Sequence, residues 1–145
     1  MTIAARTLGW RAITAVLVLI GLADAIYLTY IHYNPGALVC TVGNCHTVQT
    51  SKYSMIGPIP VAVLGLLMYV TIAAISIARW RRPDLSSTLT MASFAIVLAG
   101  AIYAAYLTYL ELSVINAICQ WCVISALVTL GLLFSEGFGF YNAID

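Results

Sequence analysis

The chain has 145 residues, of which 63% are hydrophobic and only 8% are charged, and its net charge is +1. Its mean hydropathy of +1.02 is far above that of soluble domains, in which about a quarter of the residues are charged. The composition excludes a soluble globular domain, and the near-neutral charge offers no basic surface for nucleic acid. We therefore expect an all-α integral membrane protein.

Four apolar segments are long enough, or nearly so, to cross a bilayer, because each span needs about 20 residues. They cover residues 12–33, 60–78, 87–110 and 116–134. Asp24 lies inside the first segment, and we expect it to face the bundle interior because a charge in lipid is costly. Hydrogen-bonded packing and proton handling are both open for it. Gly137 and Gly139 are expected to end the fourth segment. The sequence predicts one domain, a four-helix transmembrane bundle.

Positive residues predict how the four spans are oriented. The two termini and the connection between the second and third spans share one side of the membrane, and this side carries five arginines, whereas the other carries only Lys52. The five are Arg6, Arg11, Arg79, Arg81 and Arg82. Because positive residues near span ends remain in the cytoplasm, we expect cytoplasmic N- and C-termini in a multi-pass protein of the cell membrane. A short loop with a helix between the first two spans would then be extracytoplasmic.

All four cysteines occur in two close pairs, CTVGNC at residues 40–45 and CQWC at residues 119–122. The predicted orientation puts both pairs on the extracytoplasmic side, where disulfides persist. A copy of YLTY ends ten residues before each pair, at Tyr30 and Tyr109, which suggests that the pairs lie at similar height. Gly43 and Asn44 allow the first pair to close a small loop.

The CQWC pair opens a predicted helix. Cysteines three residues apart share a helix face, and the unpaired N–H groups at a helix start favour a thiolate. This is the arrangement that a reactive dithiol requires. Cys122, one turn into the helix, is expected to lie deeper in the membrane, and Cys119 is expected nearer the aqueous edge.

Three interpretations of the four cysteines compete. The first is that they crosslink the outer loops, but such a crosslink gains nothing from a C-x-x-C at a helix start. The second is that they bind a metal through four thiolates, although no carboxylate cluster accompanies them. The pattern favours the third interpretation, a relay of thiol–disulfide exchange between an accessible pair and a pair at the membrane edge.

Two nearby side chains allow a functional and an ordinary interpretation. His46 beside Cys45 either assists thiolate formation or is a solvated histidine. Trp121 either stacks on a bound ring or belongs to an interfacial aromatic belt. Glu111 is expected near the outer interface.

The motifs CTVGNC, SKY, GPIP and YLTYLEL before the C-x-x-C together resemble the vitamin K epoxide reductase family over residues 21–134. The bacterial and archaeal members are the most similar. The resemblance implies a four-helix bundle that holds a quinone beside the C-x-x-C. It implies that Cys119 and Cys122 form the active-site pair, with Cys122 touching the quinone. It also implies that Cys40 and Cys45 are the shuttle pair. Ser51 would be the serine near the active site, and its alternative role is to cap a short surface helix.

The resemblance implies a membrane thiol–disulfide oxidoreductase that supports disulfide formation. Electrons would pass from a reduced extracytoplasmic thioredoxin-fold protein through the two pairs to a lipid quinone of the ubiquinone or menaquinone type, without metal or flavin. Some bacterial members carry a fused thioredoxin-like domain; here we expect the partner to be a separate protein. Vertebrate members place a tyrosine, which helps bind vitamin K, where this chain has Ala126, and this weighs against epoxide reduction. The alternatives are a vitamin K reductase proper, a non-enzymatic metal-binding protein and a structural membrane subunit.

Overall fold

The computed structural model describes residues 3–145, which are mostly helical. The elements in chain order are α1 (Ile3–Tyr33), α2 (Cys45–Gln49), β1 (Met55–Ile56), β2 (Ile59–Pro60), α3 (Val61–Arg81), α4 (Ser86–Leu110) and α5 (Gln120–Ile144). Short 3-10 turns occupy Pro35–Ala37, Lys52–Ser54 and Pro83–Leu85, and a π-helical turn, Glu111–Ile115, follows α4. Within the described residues, four helical segments are long and apolar enough to cross a membrane. The predicted fold class, an all-α bundle of four spans, is confirmed.

The four long helices form a ring in which α1 and α4 each contact both α3 and α5. Apolar side chains from all four helices meet in the core, among them Val18, Tyr69, Val97 and Leu132. Helices α1 and α3 approach closely at Gly21, where an added Cβ would overlap the ring of Tyr69. Many other apolar side chains point outwards, as expected of helices whose surroundings are lipid.

The helices do not start where the apolar runs suggested. Helix α5 begins at Gln120 and not near residue 116, because Asn116 has a left-handed backbone conformation with φ 53° that ends the preceding π-helical turn. Helix α1 begins before residue 12 and α3 continues past residue 78. Apolar character marks the part of a helix that suits lipid, while the helix itself continues into polar flanks.

Gly137 and Gly139 do not end the fourth long helix, contrary to the prediction from the sequence. Helix α5 passes through Gly137 and Gly139 and ends at Ile144. Glycine inside a helix is about 1 kcal/mol less favourable than alanine, but here it allows close packing between helices. A Cβ on Gly139 would come within 2.9 Å of the Trp10 ring on α1. The missing side chain therefore lets α5 approach α1.

A buried ion pair joins α3 to α5. The two terminal nitrogens of Arg79 each donate to one carboxylate oxygen of Glu136 at 2.9 Å, and the two side chains are only 1% and 0% exposed. The hydroxyl groups of Thr90 and Ser76 accept further hydrogen bonds from Arg79, at 3.4 and 3.2 Å. Arg79 is therefore an interior residue with its own counter-charge and not one of five free positive charges, although four arginines still outnumber Lys52.

The two ends of the bundle differ in what they hold. At one end the helix termini meet: Arg11 donates to the Ser86 hydroxyl at 2.8 Å, and the Ser87 hydroxyl donates to the Ala143 carbonyl at 3.5 Å. At the opposite end, the long connection from α1 to α3, with α2 and the β1–β2 hairpin, covers the start of α5. This second end contains all four cysteines. Which end faces the cytoplasm stays a prediction.

Candidate active site

The first cysteine pair closes a small loop, residues 40–45, which we call the disulfide loop. Cys40 and Cys45 form a disulfide with their Cα atoms 6.0 Å apart, while Cys119 and Cys122 are free thiols. Gly43 in this loop has φ +85°, a conformation that glycine adopts without steric cost. The loop ends at Asn44, whose side chain caps α2 by accepting from the Thr47 N–H at 3.3 Å.

The disulfide loop lies directly against the start of α5. Gly43 forms an isolated antiparallel β-bridge with Cys119, and the Asn44 N–H donates to the Ile118 carbonyl at 2.8 Å. An added Cβ on Gly43 would overlap that carbonyl oxygen, so only glycine permits this approach. As a result, Cys45 and Cys119 are packed into one buried cluster.

The free pair occupies the first turn of α5, as its spacing predicted. Cys119 immediately precedes the helix and its carbonyl accepts from the Val123 N–H at 3.0 Å, while Cys122 lies one turn further. Cys119 is 0% exposed, and its position relative to the membrane surface stays a prediction. The disulfide loop covers Cys119.

Gln49 connects the two free sulfurs, and the sequence interpretation missed it. Its side-chain amide donates to Cys122 Sγ at 3.5 Å and to Cys119 Sγ at 3.8 Å. The available signal was periodicity: Gln49 follows Cys45 by four residues, and residues four apart share a helix face. Such an amide donor stabilises negative charge on either sulfur.

Glu111 is a second contributor that the sequence placed only near the outer interface. Its side chain is 5% exposed, and its Oε2 accepts the backbone N–H of Cys119 at 3.2 Å. Its carbonyl accepts from the Ala117 N–H at 3.1 Å. The π-helical turn thereby folds the chain back so that Glu111 holds the residue before α5 in place.

The Cys119 thiol ionises more readily than an ordinary cysteine. A hydrogen bond from the Cys122 thiol, together with weaker ones from Gln49 and the Trp121 and Cys122 backbone N–H groups, lowers the pKa of Cys119 to about 6 against an opposing effect of burial. A thiol of lower pKa is more often ionised at neutral pH, and it is also a better leaving group in disulfide exchange.

A cavity of about 310 Å³ opens beside the free pair, between the four long helices and the connection that carries α2. Cys122, Ser51 and Ala126 all line it, and most of its other lining is apolar. One wall carries hydroxyl groups: the Tyr69 hydroxyl lies 3.1 Å from that of Thr129. Apolar walls with a few polar groups are typical of a small-molecule site.

Three other residues named from the sequence have distinct positions. The Ser51 hydroxyl donates to the Val48 carbonyl at 2.8 Å and makes no side-chain cap, so the proposed helix cap is wrong. Trp121 donates through Nε1 to the Val39 carbonyl at 2.7 Å, and its ring centroid lies 4.6 Å from that of Tyr27. It thus ties the connection to α5. His46 is exposed.

Asp24 faces the interior, as predicted, and is 5% exposed. Within the part of the chain that the structure describes, neither carboxyl oxygen makes a close hydrogen bond, although the Ser125 side chain lies near enough to interact with the carboxyl. A buried carboxyl without a close partner is destabilising. Hydrogen-bonded packing and proton handling therefore both stay open for Asp24.

No group of three or more histidine, cysteine or acidic side chains that could hold a metal ion occurs among residues 3–145. The four cysteines form two adjoining pairs, one joined by a disulfide and one with free thiols.

Comparison with known proteins gives two findings. Residues 12–136 match the sequence model of the vitamin K epoxide reductase family. The chain is also 31% identical, over 119 residues, to the thiol-disulfide oxidoreductase LTO1 of Arabidopsis thaliana. The match covers 77% of this chain but only 31% of that relative, so the chain spans about a third of the relative's length.

Proposed function

Because this chain belongs to the vitamin K epoxide reductase family, we propose that it is a membrane thiol–disulfide oxidoreductase that delivers electrons from a reduced thioredoxin-fold protein to a lipid quinone. The observation that carries the proposal is the contact between a disulfide loop and a free cysteine pair, one member of which lines an apolar cavity. An extracytoplasmic location of this end of the bundle belongs to the proposal.

The first step is reduction of the disulfide loop. A thiolate of the partner attacks Cys40, because Cys40 is partly exposed whereas Cys45 is 1% exposed. The second thiol of the partner then resolves the mixed disulfide. The partner leaves as a disulfide, and Cys40 and Cys45 become thiols.

The second step transfers the electron pair between the two cysteine pairs. The Cys45 thiolate attacks Cys119 in a Cys119–Cys122 disulfide, and Cys122 leaves as a thiolate that takes up a proton. Cys40 then attacks Cys45 in the mixed disulfide and expels Cys119, whose lowered pKa favours its departure. The products are a Cys40–Cys45 disulfide beside a reduced pair, the oxidation state seen in the structure.

The last step oxidises Cys119 and Cys122. Two thiols release two electrons and two protons on forming a disulfide, and a quinone takes up the same numbers to become a quinol, so no metal or flavin is required. The cavity suits a flat apolar ring because its lining is mostly apolar. Cys122 and Ser51 line it and would contact the ring, and Gln49 would stabilise a thiolate on either sulfur.

The test is anaerobic reduction of a quinone by the purified protein with a reduced thioredoxin as the donor. We expect turnover in the wild type and none in Cys122→Ala. Val123→Ala is the matched control, because Val123 is the next residue of α5 but points outwards with 37% exposure. Unchanged turnover in Cys122→Ala would remove the proposed active pair. Stoichiometric binding of zinc or copper without turnover would instead favour a metal-binding protein.

A further inference from the structure

A single side-chain oxygen holds the disulfide loop from the side opposite its backbone contacts. Gln120 Oε1 accepts three hydrogen bonds: from the Thr41 N–H at 3.1 Å, the Thr41 hydroxyl at 2.8 Å and the Val42 N–H at 2.8 Å. An amide oxygen has two lone pairs, so its capacity as an acceptor is fully used. Gln120 has no part in the electron path described above, although it stands between the two cysteines of the C-x-x-C.

We propose that Gln120 is a positioning residue that holds the disulfide loop on α5 so that Cys45 and Cys119 can exchange electrons, and that it stabilises the oxidised form of the loop. This inference rests on the proposed function. Gln120 directly follows Cys119, and its three donors directly follow Cys40. The contact therefore fixes one reacting pair relative to the other.

The first argument concerns the rate of transfer between the pairs. Exchange needs the attacking and attacked sulfurs in a defined approach, and a displacement of about 1 Å can slow such a reaction by about 100-fold. The backbone bridge at Gly43 and the bond from Asn44 hold one side of the loop. On the side that carries Cys40, Trp121 anchors Val39, the residue before the loop, and Gln120 is the contact that holds Thr41 and Val42 within the loop.

The second argument concerns equilibrium. The Thr41 and Val42 amides converge on one point in the loop that the Cys40–Cys45 disulfide closes. Reduction opens this ring and allows the amides to separate. A contact that is stronger in the oxidised loop shifts the equilibrium towards that form. Gln120 therefore favours the transfer of electrons from the loop to Cys119 and Cys122, which we call the inner pair.

A two-equivalent experiment separates this inference from the proposed function. Fully reduced protein holds four thiols, enough for two molecules of quinol. When it is mixed anaerobically with excess menadione, Cys119 and Cys122 supply the first equivalent directly. The second appears only after Cys40 and Cys45 have reduced the inner pair again. The readout is the ratio of the two rates, followed by quinone absorbance.

In Gln120→Leu, which removes the acceptor at similar size, we expect the second equivalent to be delayed relative to the first by tenfold or more. Gln120→Glu keeps the acceptor oxygen and should restore the wild-type ratio. A Gln120→Leu ratio equal to that of the wild type would overturn the inference. A wild type that yields no first equivalent would instead overturn the proposed function.

Two further measurements cover the case in which Gln120→Leu loses both phases. Thr41→Val removes one of the three donors and should delay the second equivalent several-fold, whereas Thr41→Ser should not; equal ratios in these two variants would also overturn the inference. The second measurement uses protein in which Cys119 and Cys122 are replaced by serine. In a dithiothreitol redox buffer, Gln120→Leu should raise the equilibrium constant for reduction of the loop disulfide about tenfold, which is about 30 mV in its reduction potential. An unchanged potential would contradict the second argument.

Discussion

The buried ion pair between Arg79 and Glu136 allows a stability prediction with a magnitude. Glu136→Gln removes the counter-charge while leaving the shape, so the Arg79 guanidinium stays buried at 1% exposure without a carboxylate. Breaking a buried pair by removing one partner costs about 3–5 kcal/mol. Here both hydrogen bonds are 2.9 Å long, so we expect a cost in the upper half of this range. Because 1.4 kcal/mol is a factor of ten in an equilibrium constant, the ratio of folded to unfolded protein should fall roughly a thousand-fold.

The assay is unfolding in detergent micelles, followed by circular dichroism during titration with sodium dodecyl sulfate. The matched control is the double variant Arg79→Met with Glu136→Leu, because replacing both charges with apolar groups is often close to neutral. Glu136 lies fourteen residues after Cys122, about 21 Å along α5 at 1.5 Å per residue, so quinone turnover per folded molecule should not change. The reasoning fails if Glu136→Gln unfolds like the wild type, or if the double variant is as unstable as the single one.

Three further predictions concern the site. In protein that keeps the Cys40–Cys45 disulfide while Cys119 and Cys122 are thiols, the ultraviolet absorbance of thiolates should show one group titrating near pH 6, and Cys122→Ala should move this pKa upwards. Because the folded pKa of Cys119 is below its ordinary value of 9.0, ionised Cys119 stabilises the fold above pH 9, and this stabilisation is lost as the pH falls towards 6. Gly43→Ala should delay the second quinol equivalent at least tenfold, since its Cβ would overlap the Ile118 carbonyl; a wild-type ratio would contradict this. Asp24→Leu should raise stability by about 1–3 kcal/mol because the carboxyl is buried and neither oxygen makes a close hydrogen bond among the described residues, and a lower melting temperature would show that the carboxyl is stabilised in another way, for example by Ser125.

The sequence was sufficient for the architecture because a bilayer imposes simple rules. Apolar length alone indicated four spans, since every spanning backbone must be helical or in a closed barrel. The helix-start position of Cys119 and Cys122 followed from local spacing. The inward-facing position of Asp24 followed from the cost of a charge in lipid.

The contacts that assemble the site were not predictable in the same way. Gln49 and Gln120 are ordinary polar residues until the chain brings the disulfide loop to α5, across about 70 to 80 residues of sequence. Likewise, Arg79 counted as a flanking charge because its partner Glu136 is 57 residues away. Periodicity describes one helix at a time, so it cannot indicate which polar side chains on different segments will meet.

The burial of the cysteines defines an order from water to membrane that supports the relay. Cys40 is partly exposed, Cys45 and Cys119 are buried against each other, and Cys122 lines the apolar cavity. In the proposed relay, a soluble donor would therefore react directly with the outermost sulfur, and a lipid-soluble acceptor with the innermost. If the two middle sulfurs were exposed, the donor could reduce the inner pair directly and the disulfide loop would have no role. In the proposed relay, the cover that Gly43, Asn44 and Gln120 provide would make the loop an obligatory intermediate.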